Sequence, residues 1–171
     1  MLNIVLVGET GVGKTGLWEV LCGRRHTRPT VTCSCGVQNL RGSNVRVWDT
    51  PGAKAFLFAT KSALRSASIV LVVCDEYTYP RIQEWIDMAL TCSRICPGII
   101  VVMNKQTHNK NIECPYKILS TNSHTGLGMV NLHLYLLEMC QLMAPETVER
   151  KLNKRSRYSD CLSWLFGCGQ A

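Results

Sequence analysis

Unbroken apolar runs that end at a glycine or an acid alternate along this chain with stretches whose apolar residues recur every three or four positions. Leu2, Ile4, Val5, Leu6 and Val7 form a nearly continuous run that stops at Gly8, as a parallel strand covered on both faces reads. After a glycine-rich turn, Leu17, Val20 and Leu21 fall at helical spacing as far as Gly23, a helix stop. The stretch 24–32 holds Arg, His, Thr and Pro without periodicity and is expected to be a loop. Val45, Val47 and Trp48 predict a second strand that ends at Asp49. Over 54–66 the pattern suits a helix, with Phe56, Ala59, Ala63 and Leu64 on one side. Residues 69–74 predict a third, buried strand. Ile82, Trp85, Ile86, Ala89 and Leu90 predict an amphipathic helix entered at Pro80. Residues 99–103 and 116–119 predict a fourth and a fifth strand, and 129–143 a last helix ended by Pro145.

Strands and helices alternating at this spacing predict an α/β fold, a three-layer sandwich with a mostly parallel sheet between two helical layers. Such sheets bind ligands beyond the carboxyl ends of their strands. Each polar motif of this chain falls just after a strand. The 171 residues suffice for one domain, and 46% apolar against 18% charged residues excludes wholesale disorder. Nineteen Lys and Arg against twelve Asp and Glu leave a net charge of +7, which favours phosphate-rich ligands or an anionic membrane. Ten cysteines would suit a disulfide scaffold, but Met1-Leu2-Asn3-Ile4 has no secretory character, so reduced thiols in a cytoplasmic chain are expected. Cys33-Ser34-Cys35 and the pair Cys92 and Cys96 lack a second pair at the usual zinc spacing. The apolar runs are too short to span a bilayer.

Gly8-Glu9-Thr10-Gly11-Val12-Gly13-Lys14-Thr15 fits G-x-x-x-x-G-K-[ST], with a strand before it and a helix after it. Glycines allow several N–H groups to turn inward as an anion nest, and the helix N-terminus adds partial positive charge. Lys14 is expected to reach the terminal phosphates of a nucleotide and Thr15 to ligate Mg²⁺. Trp48-Asp49-Thr50-Pro51-Gly52 supplies D-x-x-G at a strand end, where the acid can hold Mg²⁺ through water and the Gly52 N–H can bond a γ-phosphate.

With these two motifs in order, the chain resembles a small GTPase of the Ras-like superfamily, with Rab-like and Arf-like features. Arg28-Pro29-Thr30-Val31 resembles the first switch of Arf-type members, which makes Thr30 the candidate Mg²⁺-sensing threonine, with Thr27 and Thr32 as competitors. Arg65-Ser66-Ala67-Ser68-Ile69-Val70 resembles the approach to the next strand in Rab-type members. Asn104-Lys105 resembles the start of the N-K-x-D base-recognition motif, and Asn122-Ser123-His124-Thr125-Gly126-Leu127-Gly128 resembles S-A-K-T-G-x-G. The resemblance covers about residues 2 to 143 and implies a P-loop NTPase fold binding GTP or GDP with Mg²⁺. It assigns nucleotide contacts to Gly8, Glu9, Thr10, Gly11, Val12, Gly13, Lys14, Thr15, Thr30, Asp49, Gly52, Asn104, Lys105, Ser123 and His124. Metal contacts go to Thr15, Thr30 and, through water, Asp49; catalytic roles go to Lys14, Thr30 and Gly52.

Three departures qualify that implication. Thr107 stands where the motif has its acid and can offer one uncharged acceptor in place of two charge-assisted bonds, each worth about 1.5–3 kcal/mol. Guanine preference is therefore expected to weaken. Ala53 stands where Ras and Rab proteins carry the glutamine that orients water, so intrinsic hydrolysis is expected to be slow. The stretch 105–123 is shorter than the family's by about ten residues, so the fold is shortened between the family's fourth and last helices, where a full helix cannot fit.

Beyond a G domain at 1–148, residues 149–171 form a tail. Arg150, Lys151, Lys154, Arg155 and Arg157 precede Tyr158, Leu162, Trp164, Leu165 and Phe166, with Cys161 and Cys168 nearby. Two readings stay open: a basic extension with an aromatic residue docked on the domain, or a tether to an anionic membrane at its cytoplasmic face. Cys168-Gly169-Gln170-Ala171 has the form C-a-a-X, with poor central residues. Nucleic acid is not expected as a partner, since no recognition motif accompanies the basic run. A monomeric switch acting through effector and regulatory proteins is the leading expectation. A non-hydrolysing pseudo-GTPase scaffold and an ATP-using P-loop enzyme are the alternatives.

Overall fold

The computed structural model describes residues 1–23, 30–40, 43–105 and 114–143. Strand β1 (Leu2–Val7) lies at the centre of a six-stranded sheet and pairs in parallel with β3 (Ser43–Asp49) and β4 (Ile69–Cys74). Strand β5 (Gly98–Met103) pairs with β4, and β6 (Lys117–Ser120) with β5, both in parallel. The order across the sheet is β2-β3-β1-β4-β5-β6. Strand β2 (Ser34–Leu40) is antiparallel to β3 and closes one edge.

The residues of the central strands alternate between two cores, as the twofold period of a strand demands. Ile4, Leu6, Leu71, Val73, Ile100 and Val102 pack under α1 (Lys14–Cys22) and α4 (Met129–Leu142). Val5, Val7, Val70, Val72, Val101 and Met103 pack under α2 (Leu57–Leu64) and α3 (Ile82–Cys92). Every residue of β4 and β5 is buried, which is why those segments read as unbroken apolar runs. The expected P-loop NTPase sandwich is the observed fold.

Strand β2 corrects the expected count of five strands. Its burial alternates because it is an edge strand, and its sequence Ser-Cys-Gly-Val-Gln-Asn-Leu carries little β-branched or aromatic signal. Gly36 is buried there, since a Cβ would come within 2.6 Å of the Cys22 sulfur. A second correction falls at 54–66, where a 3-10 turn (Lys54–Phe56) precedes the shorter α2, leaving Phe56 outside the helix. Val20, grouped by spacing with Leu17 and Leu21, is 47% exposed. Thr27, Arg28, Thr107 and the whole tail 149–171 lie outside the described residues. Among the described residues, no helix is long and apolar enough to cross a membrane.

Candidate functional site

The register Leu6↔Asp49 sets the ends of β1 and β3 side by side, so the glycine loop after β1 meets the D-x-x-G turn after β3. Thr50 fastens them, its Oγ1 donating to the Leu6 carbonyl at 2.6 Å. Gly13 caps α1 with a left-handed backbone, φ 94°, where an L side chain would be strained. A Cβ at Gly52 would lie 2.5 Å from the Thr10 nitrogen and 2.6 Å from Lys14 Nζ. The D-x-x-G turn therefore rests directly on the loop, with no room for a side chain.

Lys14 is nearly buried, and its Nζ donates to the carbonyls of Gly8 at 2.9 Å and Glu9 at 2.7 Å. Burial lowers its pKa from 10.5 to about 8, against the opposing pull of Asp49 and Glu9. The loop thus curls around an ammonium that has little water. An anion delivered there meets a poorly hydrated cation, the N-terminus of α1 and its unpaired first-turn N–H groups.

Beside Lys14, three oxygens from three segments converge. Thr15 Oγ1 donates to Asp49 Oδ2 at 2.8 Å, Thr30 Oγ1 donates to the same oxygen at 2.9 Å, and the two hydroxyls are 2.9 Å apart. Thr30 is thus the threonine that meets the acid, whereas Thr32 is exposed. Two hydroxyls and a carboxylate are hard oxygen donors, the set that Mg²⁺ takes when water and phosphate complete an octahedron. The residues fit that ion.

Thr10, Gly11, Gly13, Lys14, Thr15 and Thr30 line a pocket of about 400 Å³, joined on its other side by Val31, Thr50, Gly52, Ala53 and Phe56. Of these, Val31 and Thr50 fall inside the switch-like and D-x-x-G segments without an assigned contact, and Phe56 lies in no motif. Asn104 and Lys105 stand outside this pocket and against the loop. The buried Asn104 amide donates to the Val12 carbonyl at 3.0 Å, while its Oδ1 accepts from the Ser123 N–H at 3.1 Å and from Thr121 Oγ1 at 3.3 Å. Lys105 has a positive φ of 60° and reaches the Gly11 carbonyl with its Nζ. His124 is exposed, and its N–H donates to Asn122 Oδ1 at 3.0 Å in a local turn. An ion pair that no sequence pattern marks, Arg81 Nη2 to Glu9 Oε2 at 2.9 Å, joins the entry of α3 to the glycine loop. Arg81 lies in no motif.

Fold and loop together define an α/β protein with the Ras-like P-loop NTPase fold. Residues 3–107 match the family described as Ras of Complex, Roc, domain of DAPkinase. The chain belongs to this Ras-like small GTPase family. It is similar to the Ras-related protein Rab-12 of Mus musculus, 30% identical over 114 residues that cover 61% of this chain and 47% of that protein. Similarity extends to the Ras and EF-hand domain-containing protein of Xenopus tropicalis, 31% identical over 60% of this chain and 16% of that protein. The Ras-related protein RabC of Dictyostelium discoideum is 27% identical over 61% of this chain and 60% of its own length. The chain thus spans about half the length of Rab-12 and a small part of the EF-hand protein.

Proposed function

We propose that this small GTPase domain is a guanine-nucleotide switch that binds GTP or GDP with Mg²⁺ and hydrolyses GTP slowly. The observation that carries the reading is the meeting of Thr15, Thr30 and Asp49 within 2.9 Å beside the buried Lys14. Thr15 sits on the rigid start of α1, Asp49 on the end of β3, and Thr30 in the loop before β2. A terminal phosphate and its metal would therefore hold the Thr30 loop against two fixed points, and phosphate release would free it. Bound Mg²⁺ would neutralise phosphate charge; Lys14 would add its own positive charge, and Gly52 a backbone N–H. Asn104 would act on the base side by fixing the loop and the 121–124 turn, with the Lys105 stem alongside.

Calorimetry of the full chain with GTP and GDP, with and without Mg²⁺, tests this reading. Lys14→Ala is expected to remove most binding, and Thr15→Asn to remove the Mg²⁺ dependence. Wild-type affinity weaker than millimolar, or binding unchanged from wild type in both variants, would sink the proposal. The expected output is engagement of effector and regulatory proteins by the Thr30 and Gly52 segments, in a cytoplasmic setting, with 1–148 as the G domain and 149–171 as the tail.

Ala53 favours a second reading. It lines the pocket where water would have to be oriented and has no group that can hydrogen-bond water, so a pseudo-GTPase that binds without turnover is the rival. Phosphate release under single-turnover conditions separates the two.

A further inference from the structure

On the side of the sheet that carries α1 and α4, a groove runs between the two helices, apart from the nucleotide site. Val20 and Leu21 of α1 and Met129, Val130, His133 and Leu134 of α4 line about 240 Å³. Val20, Val130 and Leu134 are 47%, 69% and 51% exposed, and Leu127, just before α4, is 68% exposed. A helix covering a core ordinarily turns polar residues outward. Here Val130 and Leu134 stand one turn apart on α4, outside the buried set Leu132, Leu136 and Met139, with Val20 of α1 across the groove from them. A contiguous apolar stripe of this kind calls for a cover.

We propose that the chain's own segment 158–166 occupies this groove. Tyr158, Cys161, Leu162, Leu165 and Phe166 recur at i, i+3, i+4, i+7 and i+8, the spacing by which a segment lays apolar side chains into a groove. The reach is ample. Nineteen positions separate Met143 from Leu162, up to about 60 Å of extended chain. The way back along α4 from Leu142 to Val130 is about 18 Å.

Charge order supports the same occupant. Moving from the end of α4 toward its start, the surface presents the exposed acid Glu138 and then the apolar Leu134 and Val130. Moving along the tail, Arg150, Lys151, Lys154, Arg155 and Arg157 come before the apolar segment. A chain that folds back from Leu142 brings its basic run past Glu138 as its apolar run meets the groove. Because the segment is tethered, its effective concentration is millimolar and a shallow groove is enough. Docking and membrane insertion use the same side chains and exclude each other, so the docked tail is withdrawn from any lipid surface.

Amide hydrogen exchange of the full-length chain, read on peptides covering 158–166 without lipid, tests the proposal. The Leu134→Asp variant carries its change on an exposed position, and thermal unfolding checks that its domain is intact. A second variant, Leu165→Asp with Phe166→Asp, changes only the tail. Segment 158–166 is expected to exchange about tenfold or more slowly in wild type than in either variant, independent of protein concentration. Three outcomes would overturn the proposal: free exchange in wild type, protection that survives Leu134→Asp, or protection that grows with protein concentration, which would indicate a second copy. Protection seen only with phosphatidylserine vesicles would overturn it as well and make the membrane the occupant.

Discussion

Asn104 donates its side-chain amide to the carbonyl of Val12, so the end of β5 is held by the middle of the phosphate loop across 92 positions of chain. The other half of the same amide accepts from Ser123, which extends the tie to the turn after β6. One buried side chain thus joins three loops that the sequence keeps far apart. Asn104→Ala is expected to leave buried partners unpaired at a cost of about 1–3 kcal/mol and to weaken nucleotide binding as the loop loosens. Asn104→Asp keeps the acceptor for Ser123 but cannot donate to Val12. Thermal unfolding and calorimetry should therefore rank wild type first for both stability and affinity. Equal affinity in all three proteins would mean that the tie does not set the loop.

Gly52 tests how closely the D-x-x-G turn must approach. A methyl group there would meet the Thr10 nitrogen at 2.5 Å and Lys14 Nζ at 2.6 Å, well inside contact distance. Gly52→Ala is expected to cost about 1–3 kcal/mol of stability through overpacking. It should also abolish high-affinity GTP binding while leaving GDP binding measurable, because the turn can retreat only by giving up the terminal phosphate. If both nucleotides lose affinity equally, the clash acts on the whole loop.

Lys14 supplies a pH signature. In the free protein its pKa lies at about 8, lowered chiefly by burial, whereas an unfolded lysine titrates near 10.5. Between those values the unfolded chain binds a proton that the folded site has shed, so the free domain gains stability as pH rises through that window. Phosphate binding has the opposite sense. Anions favour the ammonium form, so affinity should fall as pH climbs past 8, and binding at pH 8.5 should take up a proton. Calorimetry in two buffers of different ionisation enthalpy measures that uptake. A slope of zero would show that Lys14 is already fully charged in the free site.

The fold was legible wherever burial on both faces forced apolar runs, nearly continuous in β1 and fully buried in β4 and β5. It was illegible at β2, where an edge position asks for one buried face only and a glycine against Cys22 breaks the alternation. The glycine loop stands out in sequence because its motif is contiguous. Thr30 was one of three threonines, and only the packing of its loop against β3 brings its hydroxyl to Asp49. The Asn104 tie and the Arg81–Glu9 pair could not be read at all, since each joins segments that meet only in the folded sheet. The same holds for Val20, whose helical spacing matches its buried neighbours although its side chain faces the groove.

Turnover is expected to depend on what stands at position 53. Ala53 precedes the 3-10 turn in an extended conformation, φ −76° and ψ 136°, and lines the pocket together with Thr30, Gly52 and Phe56. An extended backbone accepts any L side chain, and the position is only half-buried, so a longer residue fits without disturbing the core. A methyl group neither accepts nor donates a hydrogen bond, and water near it is left unoriented. A glutamine amide can accept from the attacking water and donate to the phosphate. Ala53→Gln is accordingly expected to raise the single-turnover rate of phosphate release by about tenfold or more, since misplacing a reactant by about 1 Å can cost roughly a hundredfold. Nucleotide affinity should barely change, because Lys14, Thr15 and Asp49 are untouched. A stopped assay on protein preloaded with GTP gives the rate, and calorimetry gives the affinity. Release by wild type as fast as by the variant would mean that another group in the pocket already orients the water, with the Thr30 hydroxyl the first to examine.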